Sequence, residues 1–350
     1  MIWNEEYGTI QKSKGVMGMV FLVIGLGSMG KRRIRLLEQY INNKKYSHRD
    51  WKIIGVDDNE DRRKEAEKLY RIETYPESEE AFRKNNIHCA IISSPPLSHS
   101  SIIAKCLEEK LHVFTELNLV DEGYDDNIAL AKKQGCVLFL SSTFMYRREI
   151  QYIKEKVRGR LLKAAYHYHI GQYLPDWHPW ETYHDFFAGQ KRTSGCRELF
   201  AIELPWLTDV FGKVVSVQAV HKKMSELEID YDDTYQVLLE HESGMIGNLA
   251  VDIVSPKAGR EFELWGEGFY IEWRGTPDSL KIYDEEVKGL KQIDLYDHIE
   301  HTAGYSQFVV ENAYYEELVN FMNVINGRQE PRHTFERDQE ILRLIDWIEE

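Results

Sequence analysis

The stretch "VFLVIGLGSMGKRRIRLLEQYI", residues 20–41, decides the fold. Its first five residues are apolar without alternation, as in a parallel strand buried on both faces. Glycines at 25, 27 and 30 follow, and then a helical run with basic character. At a junction between strand and helix this spacing has a chemical meaning. Gly25 permits the tight turn, Gly27 lets backbone amides approach a pyrophosphate, and Gly30 lets the helix pack close to the sheet with its N-terminus facing the anion. Ser28 and Met29 complete the loop. Such a glycine pattern is weak alone, and its surroundings give it weight.

Those surroundings alternate. "WKIIGVDD" (51–58) reads as a strand, "NEDRRKEAEKLY" as a helix and "HCAIISSPP" (88–96) as a strand ending in a turn. "SHSSIIAKCLEEK" (98–110) is a helix, "LHVFTEL" a strand, "NIALAKKQG" a helix and "CVLFLSS" a strand. This βαβ series calls for a parallel sheet with helices on both faces, an N-terminal Rossmann domain of the α/β class. After about residue 143 the pattern changes. "TYQVLLEHESGMIGNLAVDIV" (234–254) reads as two antiparallel strands joined through Ser243-Gly244, and "REFELWGEGFYIEWRG" as another hairpin-like pair. Two helical stretches close the chain, the second starting at Thr334 or Glu336. The expectation is an extension over 1–18, a Rossmann domain over 19–145, and over 146–350 an α+β domain with a large, open, mostly antiparallel sheet. The terminal helices are placed to pack back on the first domain.

The chain has 350 residues and a net charge of -14, without a basic block, which argues against nucleic acid or an anionic membrane as partner. The apolar run at 16–27 is too short to span a bilayer. Four scattered cysteines, Cys89, Cys106, Cys136 and Cys196, read as free thiols in a reducing, cytoplasmic setting. Histidines are numerous between 166 and 192, but no spacing marks a metal site.

A carboxylate at the end of the second strand, Asp57 ahead of Asp58, accepts from both ribose hydroxyls and repels a 2'-phosphate, favouring NAD over NADP; otherwise both cap the next helix. Ser94 and Pro95 end another strand on the carboxyl edge, where ligands lie. His99 either touches the cofactor side or caps the helix that follows. Glu116 sits where a nicotinamide is expected, to orient its carboxamide or a sugar hydroxyl.

On GLGSMG at 25–30, "IISSPPLSH", Glu116, "GMIGNLAVDIVSPKAGREFELWGEGFYIEW" and "YYEELVNFMNVINGRQEP", nearly the whole chain resembles the glucose-fructose oxidoreductase / inositol dehydrogenase / MocA-type family. The resemblance implies an NAD(P)-dependent sugar or cyclitol oxidoreductase, assembled as a homodimer or homotetramer on its open sheet. It also implies a catalytic lysine and histidine, and both are missing. Where the family has Glu-Lys-Pro, this chain has Glu116-Leu117-Asn118, and "SGCRELFAIELPWLTDVFG" (194–212) holds no histidine, only Glu198 and Glu203 near the expected position.

Alcohol oxidation still needs a group to take the hydroxyl proton. Replacement candidates gather in "YHYHIGQYLPDWHPWETYHDFFAGQKR" (166–192). There His178 and His184 are the candidate bases, with Tyr183 and Glu116 as further catalytic candidates. Tyr173, Trp177, Lys191, Arg147 and Glu203 are candidate contacts for a carbohydrate-like substrate. Three readings stay open: an NAD-dependent oxidoreductase with a non-standard base, a protein that binds NAD or sugar without redox turnover, and an NAD-assisted lyase or hydrolase.

Overall fold

The computed structural model describes residues 18–43, 51–159, 164–178, 181–299 and 308–350. Residues 1–17 of the expected extension lie outside these. Strand β1 (Val20–Ile24) is central in a parallel sheet of order β3-β2-β1-β4-β5-β6, with β2 (Lys52–Val56), β3 (Glu73–Tyr75), β4 (Cys89–Ile92), β5 (His112–Thr115) and β6 (Leu138–Leu140). Flanked by β2 and β4, β1 is covered on both faces, and Phe21, Leu22 and Val23 are fully buried. This explains its unbroken apolar run. Helices α1 (Ser28–Asn42), α2 (Glu60–Tyr70), α3 (Ser78–Lys84), α4 (His99–Glu108) and α5 (Tyr124–Gln134) connect the strands. The order reverses between β1 and β4, so the glycine loop after β1 opens onto the crevice where ligands bind in such sheets.

Helix α6 (Arg148–Val157) leads into an eight-stranded sheet of order β14-β13-β12-β11-β7-β10-β9-β8. Its strands are β7 (Ala164–Gly171), β8 (Val214–Lys222), β9 (Thr234–His241), β10 (Ile246–Asp252), β11 (Gly259–Gly266), β12 (Phe269–Trp273), β13 (Lys281–Asp284) and β14 (Gly289–Gln292). All its pairs are antiparallel except β7 with β10. The β9–β10 and β11–β12 hairpins occur where the alternating segments place them.

Helix α7 (Gly195–Phe211) covers one face of this sheet, where Tyr166, Tyr168, Leu249, Phe262 and Trp273 are buried. Tyr166 stacks on Phe211 of that helix at 4.8 Å, and its ring lies over Gly247, where a Cβ would come within 2.0 Å of it. The alternate residues, among them His167, His169, Leu238, Ile246 and Trp265, are on the other face.

Helices α8 (Glu311–Ile325) and α9 (Phe335–Glu349) end the chain, and Thr334 caps α9 by accepting from the Arg337 amide. Helix α8 lies against α1 through ion pairs between Arg32 and Glu311 (3.1 Å) and between Arg33 and Glu317 (2.9 Å). Arg197 of α7 binds Asp346 and Glu349 of α9. The last two helices therefore join both sheets.

Candidate active site

The glycine loop is built as its chemistry requires. Gly25 has φ +89°, and a Cβ there would meet the Ser93 carbonyl oxygen at 2.7 Å. A Cβ on Gly30 would lie 1.8 Å from the Gly25 carbonyl oxygen, so the helix meets the loop at van der Waals limits. Gly27 differs, because a Cβ there would meet nothing within 4 Å. The space beside it is open, at the N-terminus of a helix whose first turn carries no acidic residue. Ser93 Oγ, next to the loop, is buried without a hydrogen-bond partner. A pyrophosphate fits this cradle, receiving backbone amides and the positive end of α1.

Asp57 braces the loop from the second strand. One carboxylate oxygen accepts from the Leu26 amide at 2.7 Å and the other from the Asn59 amide at 2.9 Å. Each oxygen keeps a lone pair for a ribose hydroxyl. Asp58 points to solvent, and it is Asn59, not either aspartate, that caps α2 by accepting from the Asp61 and Arg62 amides. Met29 Sδ lies 3.6 Å from Arg32, and Ser28 opens the helix.

Ser94 and Pro95 form the turn after β4. His99 is buried beneath it, Nε2 2.7 Å from the Ser94 carbonyl oxygen and Nδ1 2.6 Å from Asn118 Oδ1. Burial holds its pKa below the ordinary histidine value, against the pull of its contacts with Asn118 and Ser94. Both ring nitrogens face oxygens, Nε2 the Ser94 carbonyl and Nδ1 the Asn118 Oδ1, and whichever nitrogen carries the proton donates to its oxygen. His99 thus ties the β4 turn to the Glu116–Asn118 turn.

Glu116 is held by Arg33, whose Nε and Nη2 donate to its two oxygens at 2.5 and 3.0 Å. Arg33 is fully buried and also reaches Glu317 and Ser141. Burial opposes its charge, but Glu116 and Glu317 hold its pKa above the usual guanidinium value. Glu317 in turn accepts from the Ser142 amide at 2.7 Å. The Arg33 guanidinium lies 4.4 Å over the Phe114 ring and 5.3 Å from that of Tyr314, a half-buried residue of α8. Leu117, beside Glu116, is only partly buried.

Residues 172–178 and 181–193 fold over the α7 N-terminus. Trp177 lies in contact range of Gly195, with Nε1 donating to the Gln172 carbonyl at 3.2 Å. His178 packs on Phe186 with Nδ1 2.6 Å from Glu181, while Tyr173 is half-buried and Lys191 exposed. Tyr183 and His184 turn away to the β8–β9 connection. There the Tyr183 hydroxyl accepts from the Glu228 amide at 3.2 Å, and His184 pairs with the Glu228 carboxylate at 3.4 Å.

Two side chains assigned to substrate from sequence are engaged by the protein itself. Arg147, 1% exposed, spends its guanidinium on Glu149, the Phe308 carbonyl and the Gly275 carbonyl. Glu203 is fully buried and accepts from Tyr168, Trp206 and Arg260. Reading by position alone could not foresee partners so distant in sequence. Arg33, Tyr314 and Arg260 were missed for the same reason. For Arg33 one signal existed, a cation three residues after Gly30 on the face turned to the sheet.

Comparison with known proteins agrees with this geometry. A stretch of 142 residues is 30% identical to myo-inositol 2-dehydrogenase of Thermotoga maritima, spanning 39% of this chain and 40% of that protein. The fold is shared with an oxidoreductase from Agrobacterium radiobacter in complex with NAD+, L-tartaric acid and magnesium (TM-score 0.77, 13% identity, 94% of this chain and 95% of that one). It is shared also with the WlbA dehydrogenase of Bordetella pertussis in complex with NADH and UDP-GlcNAcA (TM-score 0.72, 15% identity, 95% of each chain). Residues 19–142 match the oxidoreductase family with NAD-binding Rossmann fold, and residues 151–272 match the GFO/IDH/MocA C-terminal domain. The chain belongs to the GFO/IDH/MocA family of oxidoreductases, and its cofactor is of the NAD type.

Proposed function

We propose that this protein is an NAD-dependent oxidoreductase that moves a hydride to or from a hydroxyl-bearing carbon of a sugar, amino sugar or sugar nucleotide, with a base other than the family's lysine or histidine. The observation that carries this reading is the intact cradle at Gly25, Gly27 and Gly30, which opens beside Glu116 at the carboxyl edge of the sheet. Asp57 supports NAD over NADP, since its carboxylate would repel a 2'-phosphate. A polyhydroxylated substrate is in keeping with myo-inositol 2-dehydrogenase and with the UDP-GlcNAcA bound to the Bordetella enzyme. Domains over 19–145 and 146–350 would then supply cofactor and substrate contacts respectively. Exposed Val220, Leu238, Ile246 and Trp265 on the open sheet face suit a homodimer or homotetramer. No helix among the described residues is long and apolar enough to cross a membrane, which agrees with a cytoplasmic setting.

The test is turnover. Purified protein is given NAD+ with myo-inositol, UDP-N-acetylglucosamine or UDP-N-acetylglucosaminuronic acid, and NADH is followed by absorbance. Reduction with at least one of them, and not with NADP+, is the expected result. Tight NADH binding without turnover on any of the three would favour the binding protein instead.

A further inference from the structure

Helix α7 is buried along most of its length, and the exceptions fall into two groups. Thr208 and Asp209 are near its C-terminus, where Asp209 pairs with Lys154 at 2.6 Å. Glu198 and Ile202 are near its N-terminus, four residues apart and so on one face. That end of the helix sits at the carboxyl edge of the Rossmann sheet. Arg197 donates from Nε to the Leu119 carbonyl at 2.7 Å, directly beyond the Glu116–Asn118 turn.

Arg260 enters the same region from the start of β11. Its Nε donates to Glu203 at 2.8 Å, whereas its terminal nitrogens make no hydrogen bond to any described residue. Its guanidinium lies 5.1 Å from the ring of Phe144, which follows the last Rossmann strand. Arg260 pairs with Glu203 and forms no ion pair with Glu198. Glu198 Oε2 is sealed from solvent and has no hydrogen-bond partner. Native proteins rarely leave a buried carboxyl oxygen unmet, and a proton or a ligand hydroxyl would complete it.

Resting on the oxidoreductase reading above, we infer that Glu198 takes the proton of the substrate hydroxyl while Arg260 steadies the same oxygen. In the oxidative direction the carbon–hydrogen bond breaks and its electron pair leaves as hydride to the nicotinamide ring of NAD+, which is reduced. The oxygen–hydrogen bond breaks, its proton passes to the Glu198 carboxylate, and its electron pair becomes the second carbon–oxygen bond. Arg260, always cationic, counters the charge that gathers on that oxygen. Burial pushes the Glu198 carboxyl up to about 7, with Arg260 pulling the other way. A group poised there both accepts and returns a proton near neutrality. The other titratable groups beside Arg260 are Glu203 on the same helix as Glu198, Tyr168 from β7 and Tyr314 from α8.

The experiment compares wild type, Glu198→Gln and Glu198→Ala. NADH affinity is measured by fluorescence, carboxyl protonation by infrared difference titration, and turnover with myo-inositol and UDP-N-acetylglucosaminuronic acid. The expected result is NADH affinity within about twofold for all three proteins and a carboxylic-acid band titrating near neutrality that Glu198→Gln lacks. Turnover should fall by about a hundredfold or more, with formate restoring part of it to Glu198→Ala. A wild type that binds NADH but lacks the titrating band, a band without turnover on either substrate, or a Glu198→Gln variant with wild-type turnover would each overturn the inference. Failure of the wild type to bind NADH would instead overturn the oxidoreductase reading.

Discussion

Replacing Arg33 by methionine removes the cation on which the α1–α8 contact and Glu116 both depend. Arg33 donates at 2.5 and 3.0 Å to Glu116, at 2.9 Å to Glu317 and at 3.1 Å to Ser141. The two carboxylates would not suffer equally. Glu116 keeps 13% of its side chain in solvent, while Glu317 has none. Glu317 does keep the Ser142 amide and the hydroxyls of Ser141 and Thr143. Stranding one partner of a buried ion pair costs about 3–5 kcal/mol. Methionine preserves apolar packing on Phe114, so the lower end, about 3 kcal/mol, is expected. Burial already raises the pKa of Glu317, and without Arg33 it would rise further above its unfolded value. The folded variant then binds the extra proton more readily than the unfolded chain. Its deficit should therefore be largest at about pH 8 and shrink as pH falls toward the ordinary glutamate range near ~4.3. Urea unfolding of wild type and variant at about pH 8 and about pH 5.5 measures both effects. Adding Glu317→Gln should recover part of the loss at the higher pH. A loss below about 1 kcal/mol, unchanged by pH, would refute the reasoning.

Further outcomes follow from other contacts. Gly30→Ala forces a methyl against the Gly25 carbonyl, and backbone has little room to yield, so about 1–3 kcal/mol of stability and NADH binding should be lost together in thermal melts and titrations. His99→Leu removes the contacts that the ring makes to the Ser94 carbonyl and Asn118 Oδ1 in the interior, a cost of about 2–3 kcal/mol in urea unfolding. Its hydrogen bond to Asp252 raises the pKa of His169, so Asp252→Asn should lower the NMR titration midpoint of that ring toward the ordinary ~6.5. Because the folded value is the higher one, the pair's stabilisation is full below the unfolded pKa and fades as pH rises through the folded one.

The Rossmann half was legible because its signals are local. An apolar strand, three glycines and a helix occur in one run, and their chemistry depends on backbone spacing alone. The hairpins of the second sheet were visible for the same reason, as alternation broken at Ser243-Gly244. The parallel β7–β10 pair joins strands far apart in sequence, and no local pattern announces it. The site was harder. The resemblance leads one to expect a lysine at Leu117 and a histidine within 194–212, and an expected residue that the sequence lacks there does not name a substitute. Histidine is the usual base near neutrality, which drew attention to His178 and His184, but His184 pairs with Glu228 on the β8–β9 connection. Glu198 has an ordinary carboxyl, and what sets it apart is burial and the lack of a partner, which only the packed helix creates. Likewise Arg147 and Glu203 carry the right charges for a substrate, but tertiary contacts consume them.

The most direct test of the central claim is an NADH titration of wild type and Gly27→Val, with NADPH alongside. A Cβ at 27 has no protein atom within 4 Å, so the fold should tolerate a side chain there and a dinucleotide in the cradle should be displaced. The account predicts unchanged unfolding curves, NADH binding to wild type that NADPH does not match, and affinity weakened by about tenfold or more in Gly27→Val. Equal NADH binding by both proteins, or none by folded wild type, would contradict it.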